Sequence, residues 1–93
     1  MLLSNILKQT KNKIEVINFK DIEINKIESD SRLIRKNDIF CAVKTFHSDG
    51  HLYIDKAVEN GAKVIVCDIN YTYENKNVII VKCEDTITLL AEF

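Results

Sequence analysis

With 93 residues, 46% of them hydrophobic, the chain is long enough for one compact domain that buries roughly 60–70% of its unfolded surface. A formal net charge of −1 leaves out the basic excess of a nucleic-acid or anionic-membrane protein, and no window approaches the ~20 apolar residues of a membrane span. Charge is nevertheless uneven: residues 1–36 carry eight Lys/Arg against five Asp/Glu, residues 37–93 five against nine, so the first part favours an anionic ligand.

In chain order, Leu2, Leu3, Ile6 and Leu7 recur at helical spacing and predict a short docking helix over 2–9. Ile14, Val16 and Ile17 follow a polar turn and suggest a strand. Over 22–30, Ile22, Ile24 and Ile27 alternate with charged neighbours, the pattern of a half-exposed strand or hairpin arm with a turn or bulge at Asn25-Lys26. The polar group Arg35-Lys36-Asn37-Asp38 makes a turn, and Ile39 to Val43 is an apolar run of the kind buried on both faces of a sheet. Residues 51–60 place Ile54, Ala57 and Val58 on one helix face, with Gly61 where a left-handed cap belongs. Val64 to Cys67 is the next strand, so strand, helix of about three turns and strand form a right-handed crossover between parallel strands. Residues 68–77 are a polar surface connection, and Val78 to Val81 a further buried strand. Asp85 caps a last helix carrying Ile87, Leu90 and Ala91. Nothing in the sequence stops that helix, as expected of a domain excised from a longer protein.

The chemistry-bearing residues are concentrated between Ser29 and Gly61. Cys41, Cys67 and Cys83 are odd in number, widely spaced and embedded in apolar runs, so they read as buried small hydrophobes of a reducing compartment. With no basic leader and apolar stretch at the N-terminus, a cytoplasmic protein is expected. There is no Gly-x-Ser-x-Gly elbow, no Cys-x-x-Cys spacing for zinc and no Gly-x-Gly-x-x-Gly fingerprint for a dinucleotide. On the residues alone, Ser29 and Ser31 read as hydroxyls pairing with backbone at a strand end, Asp30 and Arg32 as a surface ion pair, Phe46 as core, and His51 as a helix-start residue bonded to the loop.

The runs Asp30-Ser31-Arg32, Asn37 to Lys44, Asp49-Gly50-His51 and Gly61-Ala62, followed by Val78 to Val81, Asp85-Thr86 and a Leu-Leu-Ala helix, resemble in order and spacing the N-terminal domain of Mur ligases. Within that family the likeness leans to the enzyme that adds the third residue of the peptidoglycan stem peptide. The enzyme that adds the D-alanyl-D-alanine dipeptide comes next. The resemblance implies a small α/β domain, a mainly parallel sheet flanked by helices, spanning 1–93. It implies that this domain binds the UDP end of a UDP-N-acetylmuramoyl-dipeptide and has the central and C-terminal ligase domains as its partners, with no nucleic acid or membrane involved. ATP and Mg²⁺ are expected for the full ligase. Neither is expected in this chain, which has no Gly-x-x-x-x-Gly-Lys-Thr/Ser loop and should be inactive alone.

By the same resemblance Ser29 and Ser31 contact the UDP part from one side of an extended segment, and Phe46-His47-Ser48 form the loop that closes over it. The chemistry agrees, since uracil and diphosphate need hydroxyls, amides and a flat apolar wall such as Phe46. Free N–H groups in the helix turn after Gly50 would add to the attraction for an anion. The family usually has glycine at Asn37 and Thr45. Asparagine tolerates positive φ, whereas β-branched threonine tolerates it poorly, so the Thr45 loop is expected to take a different path. A different class, a protein-interaction module without nucleotide, remains the alternative.

Overall fold

Two apolar runs joined by an amphipathic stretch set the frame of the computed structural model, which describes residues 1–93. Ile39–Cys41 (β3) and Val64–Asp68 (β4) are parallel neighbours in register Ile39 to Val64, and the connection between them carries the helix Ile54–Glu59 (α2). Ile79–Cys83 (β5) lies parallel on the far side of β4, and Ile14–Ile17 (β1) pairs antiparallel with β5. The two-residue strand Ile27–Glu28 (β2) closes the other edge, parallel to β3, giving the order β1-β5-β4-β3-β2. The expected small, mainly parallel α/β sheet is therefore present.

Central strands are continuous in apolarity because both faces are covered. One face buries Ile39, Cys41, Val64, Val66, Ile79 and Val81 beneath Leu3 of α1 (Leu3–Leu7) and Leu89 of α3 (Thr86–Glu92). The other buries Phe40, Ala42, Ile65 and Ile80 beneath Ile34 and the α2 residues Ile54 and Ala57. All three cysteines are free and buried, and desolvation pushes Cys41 up to about 12 and Cys67 and Cys83 up to about 11, so they are inert packing groups.

Several expectations change length or character. The helix over 2–9 contracts to five residues, and that over 51–60 begins as a 3₁₀ turn, Gly50–Tyr53, before α2. Residues 22–30 are not one continuous arm: Glu23 bridges antiparallel to Leu2, and only Ile27 and Glu28 join the sheet, in parallel with β3, because Asn25 and Lys26 are drawn onto the turn at 35–38. Helix α2 ends as its glycine predicts. Gly61 has φ +119°, its N–H donates to Val58 O, and the Ala62 N–H reaches back to Ala57 O, the paired bonds of a Schellman cap.

The turn at 35–38 ties these pieces together. Asp38 is fully buried, and its Oδ2 accepts from Lys26 Nζ at 2.6 Å and from the Arg35 N–H at 2.7 Å. Its carbonyl accepts from the Lys63 N–H at the start of β4, while Asn37, at φ +66° as an asparagine there allows, donates to Gly61 O. Gly61 is packed so closely on this turn that a Cβ would lie 2.9 Å from Lys36 Cα.

Lys26→Met is expected to lower stability in urea by about 3 kcal/mol, because it strands a buried carboxylate. Gly61→Ala is expected to cost about 1–3 kcal/mol through positive φ and the clash with Lys36. Both should leave the urea m-value unchanged, since the extent of the folded structure stays the same.

Candidate functional site

Loops that leave the carboxyl ends of parallel strands are the usual ligand-bearing edge of an α/β sheet, and two such loops converge here. After β2 the chain reads Ser29-Asp30-Ser31-Arg32. Asp30 caps a 3₁₀ turn, Ser31–Leu33, accepting from the Arg32 N–H at 3.0 Å, and the Arg32 guanidinium returns two bonds to the same carboxylate at 3.0 and 2.8 Å. Those Arg32 side-chain bonds, followed by the backbone bond, hold the Asp30 carboxyl below its ordinary value. Ser31 is thus not on an extended segment as the sequence suggested: the aspartate cap folds it into the turn, where it is buried and its carbonyl accepts from Asn60 Nδ2 at 2.9 Å. The Ser29 and Ser31 hydroxyls make no hydrogen bond to protein, so the pairing with neighbouring backbone does not occur.

After β3, Lys44 and Asp49 pair across a tight loop. The Thr45 N–H donates to Ser48 O at 2.7 Å, and Thr45 Oγ1 accepts from the Ser48 N–H at 3.2 Å. Thr45 is not at positive φ, and it closes its own turn through its hydroxyl. Gly50 then runs so close to β3 that a Cβ would stand 2.7 Å from Val43 N, and its N–H donates to Val43 O at 2.8 Å.

Between the two loops lies a hollow of about 570 Å³. Ser29, Ser31 and Arg32 line one side, Val43, Thr45 and Ser48 the other, and Tyr53 and Lys56 the floor toward α2. Of the five residues singled out in the sequence, the structure brings Ser29, Ser31 and Ser48 together. Phe46 is neither core nor wall: it is 99% exposed, its ring edge-on to His47, and neither residue lines the hollow. Tyr53 and Lys56 escaped sequence reasoning. Their signal was present, since they stand three apart at the start of a helix directly after the Gly50 loop.

The expected free N–H groups after Gly50 are also occupied. Asp49 takes the His51 N–H on Oδ1 at 3.0 Å and the Leu52 N–H on its carbonyl. His51 is buried, with Nδ1 2.7 Å from Asp49 Oδ1 and Nε2 accepting from the Asp68 N–H at 3.0 Å. On the far side of this loop a second hollow, about 410 Å³, is lined by Asp49, Asp68, Glu84 and Asp85 against Lys44 alone. Four carboxylates repel phosphate, so this second hollow is ill suited to an anion. No three His, Cys, Asp or Glu side chains converge to hold a metal ion anywhere in the chain.

Comparison with known proteins gives a consistent answer. The model of the Mur ligase family, catalytic domain, matches residues 23–93. Two UDP-N-acetylmuramoyl-L-alanyl-D-glutamate--2,6-diaminopimelate ligases are similar in sequence. That of Clostridium tetani is 41% identical over 98% of this chain and 19% of its own length, and that of Phocaeicola vulgatus 44% identical over 77% and 15%. The chain thus spans about a fifth of the length of the curated relatives it matches. A crystal structure of MurF from Acinetobacter baumannii shares the fold, with TM-score 0.77 at 22% identity over 96% of this chain and 19% of that one. MurF ligase from Thermotoga maritima in complex with ADP matches 72% of this chain and 15% of its own, at 33% identity and TM-score 0.61.

Acid should loosen this edge. The His51 N–H, followed by its side chain, holds the Asp49 carboxyl below its ordinary 3.8. A carboxyl depressed in the folded state contributes fully above its unfolded value and loses that contribution as pH falls through the folded one. Stability should therefore decline below about pH 4, and Asp49→Asn should flatten that decline while lowering stability at neutral pH, read from urea midpoints across pH.

Proposed function

The chain belongs to the Mur ligase family, and from that membership we propose that it is the N-terminal, substrate-anchoring domain of an ATP-dependent ligase that lengthens the peptidoglycan stem peptide. In this reading the domain holds the uridine-diphosphate end of UDP-N-acetylmuramoyl-L-alanyl-D-glutamate. The amino acid added by the whole ligase is 2,6-diaminopimelate, the one in the names of its relatives. The cytoplasm is the compartment that goes with this substrate; no helix of the chain is long and apolar enough to cross a membrane.

The observation that carries the reading is the hollow between the β2 and β3 loops, where the unpartnered Ser29 and Ser31 hydroxyls meet Ser48. Its volume falls among ligand pockets of about 300–1,000 Å³, room for a nucleotide end with the peptide projecting outside. Arg32 is neutralised by Asp30, so Lys56, loosely paired with Glu59 at 3.8 Å, is the cation left to face a diphosphate. Tyr53, about half exposed, offers the flat wall that Phe46 does not.

The nucleotide and Mg²⁺ that such a ligase uses do not fit this chain. It has no glycine-rich phosphate loop, and no three side chains converge on a metal position. In the proposed reading the central and C-terminal domains hold both, and this domain's residues contribute binding and orientation only. The D-alanyl-D-alanine-adding ligase is the second reading, favoured by the fold shared with MurF; at 22% identity that likeness speaks to fold, whereas the sequence relatives favour the diaminopimelate ligase.

Titration calorimetry tests the assignment. Saturable binding of UDP and of UDP-N-acetylmuramoyl-L-alanyl-D-glutamate is expected, weakened about fivefold to tenfold in Ser31→Ala. A chain that stays silent at millimolar ligand is an interaction module instead.

A further inference from the structure

His51 has no part in the function just proposed, yet it is among the most heavily constrained polar side chains in the chain. It is 6% exposed, and both ring nitrogens are engaged. A backbone N–H, that of Asp68 at the end of β4, points at Nε2 from 3.0 Å, so Nε2 keeps its lone pair and the proton sits on Nδ1. Nδ1–H then donates to Asp49 Oδ1 at 2.7 Å, and the same oxygen accepts the His51 N–H. The ring packs against Tyr71, centroids 4.6 Å apart, and the Tyr71 hydroxyl donates to His51 O at 3.4 Å.

We propose that His51 is the positioning residue of the Thr45–Ser48 loop, fixing that loop, and so the serine-lined hollow, to the end of β4. The connections run in series. The Asp68 N–H holds the imidazole, the imidazole holds Asp49, and Asp49 pairs with Lys44 across the base of the turn that carries Thr45 and Ser48. Gly50 supplies the second anchor through Val43. His51 lines the carboxylate-rich hollow on the other side of the loop, not the one holding the serines, so it acts through the loop and touches no ligand there. A solvated histidine at a helix start would leave one nitrogen free and its tautomer undetermined. Here the backbone selects the tautomer. For the identity of the ligand, though not for the loop itself, the inference rests on the function proposed above.

The test uses the 93-residue chain and two substitutions that each keep half of the linkage. His51→Asn places an amide near Nδ1 and keeps the bond to Asp49; His51→Gln reaches like Nε2 and keeps the bond to Asp68. Because the links are in series, both variants should accelerate hydrogen exchange at the Thr45 and Gly50 amides while the β4 and β5 amides stay protected. Both should also bind UDP about tenfold more weakly, the equivalent of one buried hydrogen bond. In the unsubstituted chain, ¹⁵N chemical shifts should show His51 protonated at Nδ1 and bare at Nε2, a measurement that stands even if a variant fails to fold. An Nε2–H tautomer, or loop amides unmoved in both variants, overturns the proposal. Loosened loop amides with unchanged UDP affinity overturn its link to the ligand. If the unsubstituted chain binds no UDP while the loop amides respond, the proposed function fails and the positioning role stands.

Discussion

The buried carboxylate of Asp38 is the fixed point from which the rest of the domain is hung. A lone carboxylate in the interior would cost several kcal/mol, and here Lys26 and the Arg35 N–H converge on Oδ2 to offset it. The other oxygen, Oδ1, has no partner, so the charge is compensated on one side only. What the arrangement fixes is geometry. Lys26 sets where β2 begins, Arg35 sets the turn, the Asp38 backbone passes to Lys63 at the head of β4, and Asn37 takes hold of the end of α2 through Gly61. Four elements thus share one origin at the amino ends of the parallel strands.

At the opposite ends of those strands the same residue type is used differently. Asp30, Asp49 and Asp85 each cap the turn or helix that follows a strand, accepting from Arg32, His51 and Thr88 respectively. Backbone and side-chain donors from those partners hold each carboxyl below its ordinary value. The caps order short segments that could not persist alone, the 3₁₀ turns at Ser31 and Gly50 above all. They also sort charge. The loop from Lys44 to Asp49 stands as a wall between a hollow rich in hydroxyls and one rich in carboxylates.

The sheet and its crossover were legible because apolar runs, an amphipathic helix and a capping glycine are local signals: Ile39 to Val43, Ala57 and Gly61 state their positions without reference to anything distant. The 22–30 segment was half legible: its alternation of isoleucine with charge fits the antiparallel bridge of Glu23 to Leu2, whereas the partner of Ile27 and Glu28 is fixed by Lys26 reaching twelve residues onward to a buried aspartate. In the candidate site, of the five residues the resemblance singled out, Ser29, Ser31 and Ser48 face one hollow. The aromatic wall was assigned to Phe46 from residue type. Whether an exposed aromatic lines a hollow or extends into water depends on the path of its loop, and that path is set by the Thr45 hydroxyl and the Gly50 contact. Lys56 and Tyr53 were overlooked because their one signal, a spacing of three just after the Gly50 loop, is shared by any ordinary helix surface.

Keeping its keel at one end and the loops that line its hollow at the other lets the two ends of the domain vary independently. A library randomised at residues 29, 31 and 48 would vary the hollow without touching the bonds that hold the turn at 35–38. Residue 50 has to stay out of such a library: the space beside Val43 admits a hydrogen atom and nothing larger. The freedom to vary the hollow therefore stops where the loop closes back on the backbone that leaves β3.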